Sequence, residues 1–151
     1  MLDDIDIKIL DSLQQNGRRR RGDLAEEVGL SLPSVSERLR KLEEKGYLTG
    51  YTAKLDPKKF GFDVTAYVRV TVRNSDFYQK FIDQAIGCPE VLECHAITGE
   101  GSHLLKIRTE KTESLERILS EIQAWDGVTQ TLTSVVLSTA KETLALPIKT
   151  N

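Results

Sequence analysis

The chain has 151 residues, of which 39% are hydrophobic and 29% charged, and its formal net charge is −2. This composition is typical of a folded globular protein and excludes a largely disordered one. No apolar run approaches the ~20 residues that span a bilayer, and no signal peptide is recognisable, so we expect a cytoplasmic protein without a membrane segment. Cys88 and Cys94 are expected to be free thiols of no assigned role. With His95 and His103 they match no zinc-ligand spacing, so neither a metal nor a cofactor is predicted.

The first third of the chain has the pattern of three short helices. Asp3, with Asp6 three residues later, resembles a capping box and predicts a helix over 4–15. A second helix is predicted over 22–28, and a third begins after Ser31 and continues to about residue 45. The inward-facing residues are expected to be Leu2, Ile5, Ile9 and Leu13, then Leu24, Ala25 and Val28, and finally Leu32, Val35, Leu39 and Leu42.

Beyond the third helix the pattern changes to strands. Residues 47–55 alternate as in a β-strand, and a turn at 56–59 with Gly61 marks a hinge. We therefore predict a helix-turn-helix domain over 1–55, a linker over 56–62 and a second domain over 63–151.

The second domain is predicted to have a β-α-β-β-α-β order. Residues 64–73 alternate with a two-residue period, helical patterns lie around 77–85 and 115–125, and strands are predicted at 91–97, 104–108 and 128–137. This is the ferredoxin-like arrangement, so the fold class is α+β with a three-helix winged helix-turn-helix before it. Because its helices cover one face of the sheet, the other face is expected to pack against a second copy.

The third helix displays polar groups opposite its apolar face. Arg40 or Arg38 could contact guanine or a phosphate, and Glu37 could accept a hydrogen bond from a cytosine amino group. Ser34 and Ser36 suit base edges or phosphates. The alternative is a solvated helix face held by ion pairs such as Glu37–Lys41.

Four consecutive arginines, Arg18, Arg19, Arg20 and Arg21, precede the second helix. Residues 18–59 carry eleven Lys/Arg against seven Asp/Glu, whereas residues 61–151 carry nine against twelve. Adjacent like charges repel one another, and double-stranded DNA would relieve that repulsion. The alternative for this run is a solubilising loop.

The order of these motifs resembles the Lrp/AsnC (feast/famine) transcription regulators along essentially the whole chain. The residues that carry the resemblance are Asp3-x-x-Asp6-x-x-Ile9-Leu10, Leu24-Ala25-x-x-Val28-Gly29-Leu30-Ser31, Arg38-x-x-Lys41-Leu42-Glu43-x-x-Gly46, Gly50-Tyr51-x-Ala53-x-Leu55-Asp56 with Gly61, and Gly99 with Leu104-Leu105-Lys106-Ile107. The second domain thereby resembles the family's amino-acid-sensing RAM domain.

The resemblance implies a transcription regulator, not an enzyme, that binds double-stranded DNA. It implies homodimers formed through RAM domains and assembly into octamers or other even oligomers. It also implies an amino acid or related metabolite as effector, bound between RAM domains of neighbouring dimers. The expected DNA contacts are Arg18, Arg19, Arg20, Arg21, Ser31, Ser34, Ser36, Glu37, Arg38, Arg40 and Lys41. The expected effector contacts are Thr98, Gly99, Glu100, Gly101, Ser102 and His103.

Two positions depart from the family pattern. Arg20 stands where a Ser or Thr usually caps the second helix, a loss of roughly 1 kcal/mol. Ser102 and His103 stand where the family usually has an acidic residue and an aromatic one. Ser102 offers an effector's ammonium group only a neutral hydrogen bond.

Two other classes of function stay open at this stage. An enzyme on the ferredoxin-like half would draw on His95, His103, Glu100 and Cys94, but no nucleophile–base–orienter set or phosphate-binding glycine loop is present. A ligand-binding module whose helices contact only proteins would show no footprint on DNA.

Overall fold

The computed structural model describes residues 2–149. Within that range the chain divides into two compact units. One unit comprises the residues up to Lys54 together with those from Lys141 onward, and the other comprises Leu55–Ala140. The predicted second domain extended to the end of the chain. The C-terminal segment instead makes its contacts in the helical unit.

Three helices form the helical unit: α1 (Asp4–Gln15), α2 (Arg21–Val28) and α3 (Leu32–Glu44). The predicted capping box opens α1, with the Asp6 N–H donating to Asp3 at 2.8 Å and the Asp3 N–H donating to Asp6 at 3.3 Å. Gly29, at φ 69°, occupies the left-handed conformation that ends α2. The three predicted helices are confirmed to within one or two residues at each end.

The core of this unit is formed by the predicted apolar faces. Ile9, Leu24 and Val35 are fully buried, and Leu39 and Leu42 nearly so. Leu32 is an exception, because its side chain is 51% exposed. It is the first residue of α3 and lies beyond the part of the helix that packs, so its predicted place in the core is wrong.

No strand is present over residues 47–55, although a strand was predicted there. Tyr47 and Tyr51 are each about half exposed. Alternation alone does not make a strand, because the backbone also needs a hydrogen-bonded neighbour. The chain then forms a single 3₁₀ turn at Pro57–Phe60 and leaves it at Gly61, whose φ is 78°.

The second unit has the predicted βαββαβ order. Its elements are β1 (Val64–Val72), α4 (Tyr78–Gly87), β2 (Val91–Ala96), β3 (His103–Thr109), α5 (Thr112–Gln123) and β4 (Val128–Val135). The sheet order is β2-β3-β1-β4 with all neighbours antiparallel. This is the ferredoxin-like arrangement, so the predicted α+β fold class is confirmed.

Strand alternation gives this sheet two different faces. Val68 of β1 and Leu105 of β3 are fully buried and belong to one cluster with Phe81 of α4 and Ile118 of α5. Along each strand, the residues that alternate with these buried ones point to the opposite face of the sheet, because successive side chains of a strand alternate. There Tyr67 is 37% exposed and Leu132 of β4 is 53% exposed. No helix within the described residues is long and apolar enough to cross a membrane.

Candidate nucleic-acid interface and sensing turn

The outward face of α3 carries the side chains that the sequence predicts for base reading. Val35, Leu39 and Leu42 point inward, so Ser34, Glu37, Arg40 and Lys41 are exposed on the other side. Ser31 caps the helix: its hydroxyl oxygen accepts from the Ser34 N–H at 3.4 Å and lies 2.8 Å from the Ser34 hydroxyl. The first turn of α3 therefore presents small polar groups that leave room for a base edge.

Arg40 is held between two glutamates of its own helix. Its guanidinium donates to the Glu37 carboxylate at 2.7 Å and 2.9 Å and also to Glu44. The Lys41 ammonium lies 3.4 Å from Glu37. The hydrogen bond from Arg40 is the main cause that lowers the pKa of Glu37 to about 2, so Glu37 is ionised at neutral pH. The reading face therefore balances most of its own charge before any ligand arrives.

Arg38 has a different position from the other candidates. Its guanidinium donates to Asp3 and to Asp6, each at 2.7 Å, and its side chain is only 29% exposed. The bond to Asp6, followed by that to Asp3, raises the pKa of Arg38. The arginine thus ties the middle of α3 to the N-terminal turn of α1. Both bonds come from the Nη1 group, so part of the guanidinium is committed to α1, and the expected contact of Arg38 with DNA stays a prediction.

The arginine run lies at the N-terminal end of α2, and all four side chains are exposed. Arg20 is the N-cap residue and makes no side-chain capping bond, so the departure noted in the sequence has a structural counterpart. Arg19 is paired with Glu27 at 2.6 Å, and Glu27 also accepts from the Ser12 hydroxyl at 3.1 Å. The run presents a concentrated positive charge beside a helix N-terminus, whose backbone dipole also favours anions.

The turn between β2 and β3 contains the residues expected to contact an effector. Gly99 and Gly101 have φ values of 90° and 83°, which L side chains rarely adopt. A Cβ at Gly101 would lie 2.9 Å from Cγ of Arg69 and 3.1 Å from the Val70 carbonyl oxygen, so glycine is required there. The backbone of the turn consequently lies directly against the stem of Arg69.

Two charged groups meet beside this turn. The Glu100 carboxylate is 4.0 Å from the Arg69 guanidinium, and the two side chains are 75% and 43% exposed. A pair this open in water is weak, so both partners are available to a ligand. Arg69 was absent from the sequence-based candidates. Only the β1–β3 pairing, in which Arg69 faces Leu104, places it at the turn.

Ser102 fastens the turn to β1. Its N–H donates to the Val70 carbonyl at 2.9 Å, and its hydroxyl oxygen accepts from the Val72 N–H at 3.0 Å. The same hydroxyl lies 3.3 Å from the Val70 carbonyl oxygen. Ser102 thus supplies the hydrogen bonds that hold Gly101 against β1.

His103 is a core residue. It is 1% exposed, and its ring lies 4.8 Å from the rings of both Tyr78 and Phe81. Its Nδ1 lies 2.9 Å from the Ser102 hydroxyl, whereas its Nε2 is buried without a hydrogen-bond partner among the described residues. Burial lowers the pKa of His103. The expectation that His103 contacts an effector is corrected, because the strand alternation turns its ring into the helix-covered face.

Cys88 and Cys94 are partly buried free thiols. Burial raises the pKa of both Cys88 and Cys94, and the Cys88 thiol donates to Glu90 at 3.5 Å. Residues 2–149 hold no cluster of three or more His, Cys, Asp or Glu side chains suited to a metal ion.

A helix-turn-helix unit with an exposed polar third helix, in one chain with a βαββαβ unit, is the architecture of a DNA-binding regulator that carries its own sensing domain. A family model described as winged helix-turn-helix DNA-binding matches residues 2–49, and one described as the Lrp/AsnC ligand binding domain matches residues 65–146. The chain belongs to the Lrp/AsnC family. It is a helix-turn-helix transcription regulator, and its homologues are regulators rather than enzymes.

Proteins with similar sequences match this chain over almost its full length. The HTH-type transcriptional regulator FL11 of Pyrococcus horikoshii is 36% identical over 98% of this chain and 97% of its own. The leucine-responsive regulatory protein of Escherichia coli is 35% identical over 99% of this chain and 93% of its own. The solved structure of a transcriptional regulator from Neisseria meningitidis in complex with L-Met superposes with a TM-score of 0.93 at 36% identity, covering 97% of both chains.

Proposed function

We propose that the protein reads its operator with the exposed face of α3 and gains most of its affinity from the arginine run. The single observation that carries this assignment is the division of α3 into a buried apolar side and an exposed side bearing Ser34, Glu37, Arg40 and Lys41, with Ser36 partly buried at its edge. In helix-turn-helix proteins the N-terminal part of this helix contacts base edges in the major groove. Arg18, Arg19, Arg20 and Arg21 are assigned to phosphates.

Base contact by Arg40 requires an exchange of partners. Its guanidinium leaves Glu37 and Glu44 and takes the two acceptors of a guanine, while Glu37 becomes free to accept from a cytosine amino group. A wrong base leaves these charges without partners in a closing interface. Because the exchange is favourable only on a matching sequence, the network favours specificity over affinity.

The test is a gel-shift titration with the gene's own upstream DNA and a scrambled duplex. Arg40→Ala is expected to reduce the preference for the upstream DNA by about tenfold, since a good bidentate base contact discriminates by ~1–3 kcal/mol. Arg19→Ala is expected to weaken both duplexes equally. Arg117→Ala is the matched control: Arg117 is 52% exposed and pairs with Glu121 at i,i+4, as Arg40 does with Glu44. Equal effects of the Arg40 and Arg19 variants would contradict the division of roles.

The helix-free face of the sheet is the proposed dimer interface. Tyr67 and Leu132 expose apolar surface there, and such a face is stabilised by covering it. Assembly of these dimers into octamers or other even oligomers is part of the proposal. Leu132→Lys is expected to reduce the mass measured by light scattering to that of one chain. The control is Ile86→Lys, since Ile86 is 76% exposed but lies on α4. Unchanged mass in the Leu132 variant would refute the interface.

The turn at Thr98–Ser102 is the proposed effector site, and an amino acid or related metabolite is the proposed effector. The support is a charge pattern complementary to a zwitterion: the Glu100 carboxylate suits an ammonium group, and the Arg69 guanidinium 4.0 Å away suits a carboxylate. Glu100 thus offers the carboxylate that the family usually has at the position of Ser102. The regulator from Neisseria meningitidis, solved with L-Met, shows that a chain of this architecture binds an amino acid.

Calorimetric titration of the intact protein with the twenty amino acids tests the site. Glu100→Gln is expected to weaken the best binder at least tenfold. Glu113→Gln is expected to leave binding unchanged, because Glu113 is similarly exposed (71%) but lies on α5. If both variants bind as the wild type does, the site lies elsewhere.

A further inference from the structure

The last described residues form a specific contact with α1. The Leu146 N–H donates to the side-chain oxygen of Gln14 at 2.6 Å, and the side-chain nitrogen of Gln14 donates to the Leu146 carbonyl at 3.1 Å. The amide of Gln14 therefore pairs with one residue of the C-terminal segment as a neighbouring strand would. Such a two-way pairing fixes which residue of the segment lies beside Gln14.

A hydrophobic anchor follows two residues later. Ile148 is partly buried and packs against the helical core cluster that contains Ile9 and Leu13. The Ile148 N–H donates to the Leu146 carbonyl at 2.8 Å, which closes a tight turn around Pro147 and brings the isoleucine to the core. The anchor and the amide pairing thus act on the same short stretch of chain.

The contact is selective within the segment. Leu144 is 95% exposed and Leu146 is 67% exposed, so neither leucine of the segment is the side chain that anchors it. Backbone groups and one isoleucine make it instead. Non-specific collapse would bury the two leucines as readily as the isoleucine, because it is roughly proportional to the apolar area removed from water.

We infer that the surface of α1 around Gln14 is a docking site for an extended peptide, and that Leu146–Ile148 of the same chain is its occupant. The helix-turn-helix family model ends at residue 49, and the ligand-binding model extends to residue 146. The structure assigns residues 141–149 to the helical unit instead. The helical unit is therefore completed by residues more than 100 positions beyond the end of α3.

The docked segment stabilises α1, and α1 in turn positions the reading helix. Asp3 and Asp6 at the start of α1 hold Arg38 of α3. A loss of docking at Gln14, in the last turn of α1, therefore loosens the helix that supports α3. We expect this to appear as faster amide exchange in α1 before it appears as loss of secondary structure.

Hydrogen exchange on the full-length protein, followed by mass spectrometry of the 141–149 peptides, tests the docking. In the wild type the Leu146 amide is expected to exchange at least tenfold more slowly than in an unstructured peptide. Gln14→Ala is expected to remove this protection. Gln15→Ala is the matched control, because the Gln15 amide donates only within α1, to Asp11 at 3.2 Å. Random-coil exchange in the wild type, or equal effects of the two variants, would overturn the inference.

The anchor and the identity of the occupant are tested separately. Ile148→Ala is expected to speed exchange in α1 at least threefold, whereas Leu144→Ala, at an exposed leucine, is expected to leave it unchanged. When isotope-labelled Gln14→Ala chains are refolded together with unlabelled wild-type chains, the labelled tail is expected to stay unprotected, because it can dock only on the α1 of its own chain. Equal effects of Ile148→Ala and Leu144→Ala, or protection of the labelled tail in the mixture, would refute docking of the chain's own tail.

Discussion

The buried imidazole of His103 makes the stability of the sensing unit sensitive to mild acid. The ring is 1% exposed between Tyr78 and Phe81, and its Nε2 has no partner among the described residues. Burial lowers its pKa, so the folded protein keeps the ring neutral at a pH where the unfolded chain, with a pKa of about 6.5, takes up a proton. The contribution of the neutral ring to the free energy of unfolding is therefore fully present above about pH 6.5 and decreases as the pH falls below that value.

The size of this effect has an upper bound. One proton bound by the unfolded chain alone costs at most about 1.4 kcal/mol per pH unit, so the loss between pH 6.5 and pH 5 is at most about 2 kcal/mol. His103→Phe removes the titrating group and keeps an aromatic ring in the core. It also removes the unpaired Nε2, so we expect stability at pH 7 to be unchanged or higher. Ser102 keeps its contacts to Val70 and Val72.

Urea denaturation followed by circular dichroism at pH 7 and pH 5 measures the difference. The free energy of unfolding of the wild type is expected to fall by up to about 2 kcal/mol between the two pH values, and that of the phenylalanine variant is expected to change little. His95→Gln is the control, because its side chain is 56% exposed on β2. An equal acid loss in the wild type and the His103 variant would show that other groups cause it and would refute the reasoning.

Three further predictions concern the elements that support the two sites. Arg38→Ala is expected to destabilise the helical unit by about 1–2 kcal/mol, since it removes two partly exposed charge-assisted hydrogen bonds, and thermal melting measures the loss. The hydrogen bond from the backbone N–H of Asp6 is the largest cause that lowers the pKa of Asp3, and the bond from Arg38 is the second. The stability that this carboxylate contributes is therefore fully present at neutral pH and is lost as the pH falls below about 4. Asp3→Asn is expected to flatten that part of the acid-unfolding curve. Gly101→Ala is expected to cost more than 1 kcal/mol because of its φ of 83° and the 2.9 Å contact, whereas Gly22→Ala, where a Cβ meets nothing within 4 Å, is expected to be neutral or stabilising.

Features with a local signal could be predicted from the sequence. The capping box of Asp3 and Asp6 and the two-residue period of β1 each report the conformation of the residues that contain them. The βαββαβ order followed from these elements in sequence. The segment 47–55 shows the limit of this reasoning, because a strand depends on a partner that its own alternation cannot supply.

The features that the sequence did not indicate are long-range pairings. Arg38 looks like any other arginine of a polar helix face, and only the packing of α3 against α1 places it on Asp3 and Asp6. Leu146-Pro147-Ile148 has no period at all, so nothing in it pointed to Gln14. His103 follows directly on Ser102, and the strand alternation decides that one faces β1 while the other enters the core.

The helical unit carries two groups of arginines, one on α3 and one before α2, to which we assign different roles toward DNA. Arg40 is neutralised in place by Glu37 and Glu44, so α3 adds little to the field that a DNA phosphate meets from a distance. We expect the exposed run, in which Arg19 is itself paired with Glu27, to provide that field; it lies where α2 has no side-chain cap. Counterion release depends on the cations that reach phosphates, whereas discrimination depends on the cations that change partners at a base edge. On the proposed division of roles, we therefore expect salt dependence to follow substitutions in the run and sequence preference to follow substitutions in α3.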